Sequence, residues 1–174
     1  MYISDFLKYC PNCQNKLNQK NNFFSCNNCY FYFYQNPIPT NGLIIYNDKK
    51  EILLVKRKFP PKKNYWDIAG GFINLKENLE ESLFREVKEE LNILIDKNKI
   101  NYLTSINDIY FYKKIKHYTL CLIFTYKING QKIKNIKSQD DVSQIKWFNK
   151  KNIPWNKIAF KGIKNALKLF FASF

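Results

Sequence analysis

The pattern of apolar and polar positions changes its period along the chain, and each period predicts a different element. Two short apolar runs rich in β-branched residues, GLIIYN (42–47) and EILLVKRK (51–58), are separated by the polar stretch NDKK and predict a β-hairpin. Asn129-Gly130 is a hairpin turn signal. Further strands are predicted over YWDIAGGFI, HYTLCLIFTYKI and SQIKWF (65–73, 117–128 and 143–148).

The segment 79–91 has the period of an amphipathic helix. Asn78 fits the N-cap, and Glu81 three residues later completes a capping box. Asn92 follows the last apolar position, where Asn commonly ends a helix in the left-handed conformation. The apolar stripe consists of residues four positions apart, namely Leu79, Leu83, Val87 and Leu91.

A second, basic amphipathic helix is predicted from about Ala159 to Phe171. We interpret it as a terminal helix docked on the domain rather than one lying on a membrane. The N-terminal stretch MYISDFLKYC lacks the apolar segment of a signal peptide, and no run reaches ~18 apolar residues. We therefore expect a cytoplasmic protein with no membrane partner.

The composition is that of a globular chain, with 45% hydrophobic and 17% aromatic residues. The formal net charge is +15, from 29 Lys and Arg against 14 Asp and Glu. Such a surface attracts the phosphates of nucleotides or nucleic acid, but scattered lysines also keep a protein soluble without specifying a partner. Nucleic acid therefore stays open as a partner without being indicated.

The chain divides near Asn36-Pro37, which predicts a small domain over 1–36 and a larger one over 37–174. Four of the five cysteines lie in the first part, as two C-x-x-C pairs with twelve residues between them. Two such knuckles complete a tetrahedral Zn²⁺ site, whereas disulfides and a thioredoxin-like redox motif fit the sequence less well. The predicted zinc ligands are Cys10, Cys13, Cys26 and Cys29.

The predicted zinc is structural, because about 35 residues bury too little surface to fold without it. NNFFSC and YFYFY would form the strands of this zinc ribbon. Gln14 and Tyr30 stand where many zinc knuckles have Gly, which is a departure in the turn and not in the ligands. A ribbon that binds nucleic acid is the functional alternative, favoured by the basic charge and the aromatic residues.

Six of the fourteen acidic residues lie within positions 70–93. Glu86, Glu89 and Glu90 are spaced to share one face of the predicted helix, where their mutual repulsion is unfavourable unless a positive group lies between them. One interpretation is a solvated acidic face near Arg85. The other is a site for a hard cation such as Mg²⁺ or Mn²⁺, which prefers clustered carboxylate oxygens.

This segment resembles the signature of the Nudix hydrolases, G-x5-E-x7-R-E-U-x-E-E-x-G-U, where U is a bulky aliphatic residue. The one departure is Asn92 in place of the last Gly, an exchange that keeps a left-handed helix end. The resemblance extends over about 37 to 170 and implies an α+β fold, a Nudix α/β/α sandwich carrying a small N-terminal zinc ribbon. The matching positions are Gly71, Glu77, Arg85, Glu86, Val87, Glu89, Glu90 and Ile93.

The order of zinc ribbon and Nudix domain is similar to that of NADH pyrophosphatases. In that group the motif S-Q-P-W-P-F-P-x-S follows the signature, but the comparable region here reads SINDIYFYK from Ser105. The match fails after the serine, so NADH specificity is not supported.

The resemblance also implies roles for individual residues in metal-assisted cleavage of a pyrophosphate by water. Glu86 and Glu90 would be the main metal ligands, with Glu89 and the Gly71 carbonyl contributing. Arg85 would orient the glutamates through charge-assisted hydrogen bonds, and Glu77 would support the metal site.

The general base varies within the family, and here Asp140 and Asp141 precede the SQIKWF strand. We select Asp141 as the catalytic candidate, against the alternative that both aspartates only form a turn. Arg57 is the candidate for contact with a substrate phosphate, against the alternative of an ordinary surface charge.

The favoured function is hydrolysis of a nucleoside diphosphate linked to another moiety, with an ADP-ribose-like or dinucleotide substrate. A nucleoside triphosphate or RNA 5′-end pyrophosphohydrolase is the enzymatic alternative. A non-catalytic nucleotide-sensing protein is a third, although a sensor has no need of the complete glutamate set. A homodimer also stays open.

Overall fold

The computed structural model describes residues 2–129 and 135–173, which form two compact units. The first comprises the described residues through Ile38 together with Ile109–Thr119, and the second comprises Pro39–Asp108 and the chain from Leu120 onward. The division predicted at 36/37 remains a proposal, and the first unit also contains the tip of a later hairpin. The predicted turn at Asn129-Gly130 lies partly outside the described residues.

The first unit contains a three-stranded antiparallel sheet with the order β1-β2-β3. These strands are β1 (Asn18–Lys20), β2 (Phe23–Ser25) and β3 (Tyr32–Tyr34). The hairpin of β2 and β3 confirms the strands predicted within NNFFSC and YFYFY, whereas β1 was not predicted. The buried side chains beneath this sheet are Cys10, Leu17, Phe24 and Cys26.

A six-stranded sheet has the order β6-β5-β4-β8-β7, with β9 pairing additionally with β5. Its strands are β4 (Ile38–Tyr46), β5 (Ile52–Arg57), β6 (Trp66–Asp67), β7 (Ile100–Tyr112), β8 (Ile115–Lys127) and β9 (Val142–Phe148). The β4–β5 hairpin and the strands β8 and β9 confirm the predictions. The predicted strand over 65–73 is regular only in β6 and continues as single pairings of Ala69 with Leu43 and of Phe72 with Thr40.

The turn between β4 and β5 is closed by Asn47. Its Oδ1 accepts hydrogen bonds from the backbone N–H groups of Lys49 and Glu51, at 2.9 and 3.0 Å. Lys50 adopts a left-handed φ of 59° within this turn. Side chains of Asn commonly stabilise turns in this way, so the polar NDKK stretch reverses the chain without a glycine.

In the part of the chain that the structure describes, one helix covers each face of the six-stranded sheet. Alternate residues of a strand point to opposite faces, so β4 and β5 contribute to two separate cores. The helix α1 (Leu79–Leu91) packs its Leu83, Val87 and Leu91 with Leu43, Ile45, Leu53 and Val55. The helix α2 (Lys161–Ala172) packs its Ile163, Ala166, Leu167 and Phe170 with Ile44, Ile52 and Leu54. This is the predicted α/β/α sandwich, and α2 begins two residues later than the prediction.

In the described part of the chain, no helix is both long and apolar enough to cross a membrane.

Candidate active site

Helix α1 has the ends that its sequence predicts. Asn78 Oδ1 accepts from the Glu81 N–H at 2.8 Å, and Glu81 Oε2 accepts from the Asn78 N–H at 3.0 Å, which completes the capping box. At the other end Asn92 adopts a left-handed φ of 55°, and its N–H donates to the Lys88 carbonyl at 3.0 Å. The replacement of Gly by Asn92 therefore preserves the helix end.

Arg85 is the cation at the centre of the acidic segment. Its guanidinium donates to Glu77 Oε1 at 2.6 Å and to Glu77 Oε2 at 3.0 Å. It also donates to Glu86 Oε1 at 2.8 Å and to Glu89 Oε2 at 3.1 Å. The hydrogen bonds from Arg85 and from the Asn74 N–H lower the pKa of Glu77 to about 2. One arginine thus offsets the repulsion between three carboxylates and fixes their orientation.

The Gly70-Gly71 loop lies directly against two glutamates of α1. The Gly70 N–H donates to Glu90 Oε2 at 3.0 Å. Gly70 has φ +138°, and a Cβ there would collide with the Asn41 carbonyl oxygen. At Gly71 the constraint is space, because a Cβ would lie 2.5 Å from a carboxylate oxygen of Glu86. Glycine at both positions lets the loop approach the helix closely.

Glu90 is a buried carboxylate beside a second one. Its side chain is only 5% exposed, and the carboxylate of Asp141 lies within hydrogen-bonding reach. Burial, followed by the charge of Asp141, raises the pKa of Glu90 well above its usual range. Burial likewise raises the pKa of Glu86, with a further contribution from Glu89 and Asp141. A divalent cation would stabilise the ionised forms of Glu86 and Glu90 by compensating their negative charge.

The loop before β9 brings Asp141, rather than Asp140, to the glutamates. Two backbone hydrogen bonds fasten this loop to the end of α1, from Lys137 N to the Leu91 carbonyl at 3.0 Å and from Gln139 N to the Glu90 carbonyl at 2.9 Å. Asp140 is exposed and adopts a left-handed φ of 48°. The turn interpretation therefore fits Asp140, while Asp141 shares the electrostatic environment of Glu86 and Glu90.

Two buried polar residues that sequence reasoning missed connect the glycine loop to the helix. Asn41 on β4 accepts from the Gly71 N–H through Oδ1 at 3.4 Å, and its Nδ2 donates to Ser82 Oγ at 2.9 Å. Ser82 Oγ in turn donates to the Phe72 carbonyl at 3.3 Å. Ser82 is fully buried beside the apolar stripe of α1. The sequence offered two signals for this pair. Ser82 is a polar residue beside the apolar stripe of α1, and Asn41 is a polar residue within β4.

The carbonyl of Gly71, a predicted metal ligand, accepts a hydrogen bond from the Asn41 N–H at 2.9 Å. A carbonyl oxygen has two lone pairs, so this bond leaves one of them available. The interaction also holds the loop on β4.

Arg57 lies at the end of β5 and is paired within the protein. Its Nη1 donates to Asp67 Oδ2 at 3.1 Å, and its Nε donates to the Pro61 carbonyl at 2.8 Å. The guanidinium also stacks over the ring of Phe160. Asp67 is buried, and burial raises its pKa to about 6 although the charge of Arg57 opposes the shift. Contact between Arg57 and a substrate phosphate stays a prediction.

The four cysteines of the first unit converge on one point. The Sγ atoms of Cys10 and Cys29 are 3.5 Å apart, as are those of Cys13 and Cys26, and all four lie within 4.8 Å of one another. A tetrahedral Zn²⁺ with Zn–S bonds of about 2.3 Å requires S···S separations of about 3.8 Å. The cluster therefore fits the predicted zinc ribbon.

The turns of this cluster keep the geometry that glycine usually supplies. Gln14 and Tyr30 have left-handed φ angles of 60° and 59°. The Gln14 N–H donates to the Cys10 carbonyl at 2.9 Å, and the Cys26 N–H donates to the Phe31 carbonyl at 2.8 Å. The departure from Gly noted in the sequence thus leaves the knuckle conformation intact.

Across residues 2–129 and 135–173, the cysteines are the only group of three or more ligand side chains whose ligand atoms all lie within 4.8 Å of one another. The glutamates are spaced more widely, with Arg85 among three of them. Their oxygen atoms nevertheless have the chemistry that Mg²⁺ and Mn²⁺ prefer, and the glycine loop gives Glu86 and Glu90 room beside it. The donor set fits a hard cation.

An α/β/α sandwich whose helix holds this glutamate and arginine cluster against a glycine loop defines a class of protein with a candidate site for a divalent cation and the phosphates it would bind. The NUDIX domain family matches residues 37–170. An ADP-ribose pyrophosphatase from Methanocaldococcus jannaschii is 29% identical over 130 residues, which cover 75% of this chain and 71% of that protein. The chain belongs to the Nudix hydrolase family, whose enzymes use divalent metal ions and cleave pyrophosphate bonds.

Two further comparisons agree with this assignment. The NAD-capped RNA hydrolase NudC of Vibrio atlanticus is 29% identical over 106 residues, which cover 60% of this chain and only 38% of that protein. The crystal structure of a NUDIX hydrolase from Nitrosomonas europaea aligns with a TM-score of 0.62 and 24% identity, over 92% of this chain and 88% of that one. The second similarity bears on the fold alone.

Proposed function

We propose that the protein hydrolyses the pyrophosphate of a nucleoside diphosphate linked to a second group, with an ADP-ribose-like or dinucleotide compound as its substrate. The observation that carries this proposal is the placement of Glu86 and Glu90 against the Gly70-Gly71 loop, with Asp141 beside Glu90. The archaeal relative named an ADP-ribose pyrophosphatase, matched over three quarters of this chain, supports the choice of substrate class.

Glu86, Glu89, Glu90 and the Gly71 carbonyl are the groups that would hold Mg²⁺ or Mn²⁺. When bound, the cation supplies charge neutralisation for the phosphates and acidifies water. The side chains of Glu86 and Glu89 are 16% and 47% exposed, so this edge of the cluster is accessible to a substrate. Glu90 is the buried anchor, fixed by the Gly70 N–H.

Asp141 is the proposed general base. It would take a proton from the attacking water as the water oxygen bonds to phosphorus and the phosphoanhydride bond breaks, which releases two phosphate-containing products. Asp141 lies on the loop before β9, within hydrogen-bonding reach of Glu90, so it stands beside the proposed metal ligands. General bases placed in this way typically contribute about 10²–10⁴-fold in rate.

Arg85 and Glu77 are proposed positioning residues. The Arg85–Glu77 pair has two hydrogen bonds, at 2.6 and 3.0 Å, and places the guanidinium where it also orients Glu86 and Glu89. Because the fork of an arginine matches a carboxylate and that of a lysine does not, the pair depends on arginine. Arg57 is proposed to attract a substrate phosphate. Asp67 compensates its positive charge only in part.

The test is a panel of nucleotides incubated with the full-length, zinc-loaded protein and Mg²⁺, with products separated by chromatography. The panel contains ADP-ribose, dinucleotides, nucleoside triphosphates and RNA with a 5′-triphosphate. We expect ADP-ribose or a dinucleotide to yield two monophosphate products. Preferential turnover of the triphosphates would reject the proposed substrate class, and tight binding without turnover of any compound would favour a nucleotide sensor.

A further inference from the structure

One face of the small sheet in the first unit presents aromatic rings to solvent. Residues that pair directly across antiparallel strands point to the same face, so the register of β1, β2 and β3 defines the members of this face. We name it the aromatic sheet face. It consists of two rows of paired residues, Lys20, Phe23 and Tyr34 in the first and Asn18, Ser25 and Tyr32 in the second.

The two tyrosines of this face are exposed to solvent, and their rings pack against neighbouring aromatic rings of the same face. Tyr32 and Tyr34 are 65% and 52% exposed. The ring centroids of Phe23 and Tyr34 lie 4.7 Å apart, and those of Tyr32 and Tyr34 lie 6.4 Å apart. On the opposite side of the sheet Phe24 is buried with the cysteines. The core of the unit therefore does not require the exposed rings.

The charge of the first unit is complementary to phosphate. It contains one carboxylate, Asp5, whose Oδ2 accepts a hydrogen bond from the Tyr2 N–H at 2.7 Å. Lys20 stands on the aromatic sheet face itself, in the row of Phe23 and Tyr34. The lysines of this unit are Lys8, Lys16, Lys20, Lys113, Lys114 and Lys116. Six cations against one anion attract a polyanion.

A second copy of the chain is a poorer occupant of the same face. Pairing two copies of the face would place two lysine-rich units against each other, and like charges across an interface are unfavourable. A single strand of nucleic acid instead combines negative phosphates with flat bases that are free to stack. A duplex has the phosphates but keeps its bases stacked inside the helix.

We propose that the aromatic sheet face binds a single strand of nucleic acid. Bases stack on Tyr32, Tyr34 and Phe23, while the phosphates are held by Lys20 and the field of the other lysines. Stacking uses the face of a base, so binding depends little on base identity. This interaction is separate from the hydrolase reaction and does not rest on the proposed substrate.

The experiment measures binding of a fluorescent oligouridylate of about ten nucleotides, a typical site size, to the full-length zinc-loaded protein by anisotropy. The oligonucleotide has a 5′-hydroxyl, so it carries no pyrophosphate for the hydrolase site. We expect Tyr32→Ala and Tyr34→Ala each to weaken binding about tenfold, the effect of losing one stacked base. Tyr9→Ala is the matched control, because Tyr9 is 66% exposed in the same unit but lies outside the sheet.

A second pair of variants separates stacking from misfolding. Tyr32→Phe and Tyr34→Phe keep the rings and should bind within about twofold of the unsubstituted protein, with the zinc content unchanged in all variants. Equal affinity for a duplex of the same length, or equal weakening by Tyr9→Ala, would overturn the proposal. So would a dimer in light scattering that Tyr32→Ala dissociates while no oligonucleotide binds.

Discussion

The two groups of anionic ligand side chains in this protein are organised in opposite ways. Four cysteine sulfurs converge within 4.8 Å of one another. Arg85 instead lies among the carboxylates of its site and donates hydrogen bonds to Glu77, which precedes α1, and to Glu86 and Glu89 on α1. A structural zinc site is closed by its four ligands, whereas a catalytic site needs room for a substrate and a water.

The local backbone explains this difference. Each cysteine pair sits on a tight turn, and Gln14 and Tyr30 supply the left-handed residues that direct the sulfurs inward. Helix α1 cannot turn in this way, so its carboxylates lie along one face and repel one another. An internal arginine and a glycine loop hold them in place at one edge of the domain, and that edge stays accessible.

Zinc removal is expected to have the largest effect on the structure, because the predicted metal would hold the cysteine cluster of the first unit together. With four buried residues beneath its sheet, this unit depends on metal binding worth about 10–16 kcal/mol in small zinc domains. Chelation or Cys26→Ser should abolish amide protection around β2 and β3 while α1 and α2 remain protected. Hydrogen exchange followed by mass spectrometry measures both regions in one sample.

Cys121→Ser is the control for this experiment, since the fifth cysteine lies outside the cluster. That variant should retain one zinc per chain and normal protection. Unchanged protection of β2 and β3 after complete removal of zinc would show that the cysteine cluster is not what holds the unit together.

The next largest effect is expected at the buried glutamate. Glu90→Gln removes a proposed metal ligand, and even groups that only support such ligands typically contribute about 10–100-fold. We therefore expect turnover to fall about a hundredfold or more. In the absence of metal the variant should be at least as stable, because a buried carboxylate is costly to ionise. Steady-state kinetics and thermal denaturation without metal measure the two effects.

Glu80→Gln is the matched control, with the same chemical change on the same helix at an exposed position. It should leave turnover within about twofold, since surface substitutions rarely act on a site. If the two variants were equally active, the assignment of Glu90 as a metal ligand would fail.

Local features of the fold could be predicted from the sequence, and features that depend on distant residues could not. The cysteine knuckles and the capping box are local patterns, and both formed as predicted. The role of the glutamates as metal ligands stays a prediction. Strand β7 was missed because its turn to β8 uses Lys113 and Lys114 at positive φ, where a glycine or asparagine would have been the signal.

Long-range pairs account for the other omissions. Asn41 reaches Ser82 across 41 positions of sequence, and no local pattern links the two. Asp141 was selected from the sequence, but the packing of its loop against the end of α1, which distinguishes it from Asp140, is likewise a long-range feature. The pairing of Arg57 with Asp67 likewise depends on the register of β5 and β6.

Gly71→Ala tests whether the close approach of the loop matters, and its effect should be intermediate. The added Cβ would lie 2.5 Å from a Glu86 oxygen, so the carboxylate must move. We expect turnover to fall about tenfold or more, comparable to the loss of a supporting group, while the fold is retained. Kinetics of Glu86→Gln and of the double variant complete the measurement.

If Glu86 carries the effect, Gly71→Ala should cost little more once Glu86→Gln is present, because the two changes act on one interaction. Fully additive losses would mean that the loop affects turnover by another route.

The smallest effect is expected at Asp67, a buried carboxylate that pairs with an arginine and is not a proposed metal ligand. Its pKa is raised to about 6, chiefly by burial, whereas an unfolded aspartate titrates near 4. Between these values the folded protein holds a proton that the unfolded chain has lost, so the free energy of unfolding falls as pH rises from about 4 to 6. Asp67→Asn should reduce this fall by no more than about 3 kcal/mol, the limit set by a shift of about two units. Urea denaturation of both proteins across this range measures the difference, and identical pH profiles would show that the pKa of Asp67 is the same in the folded and the unfolded chain.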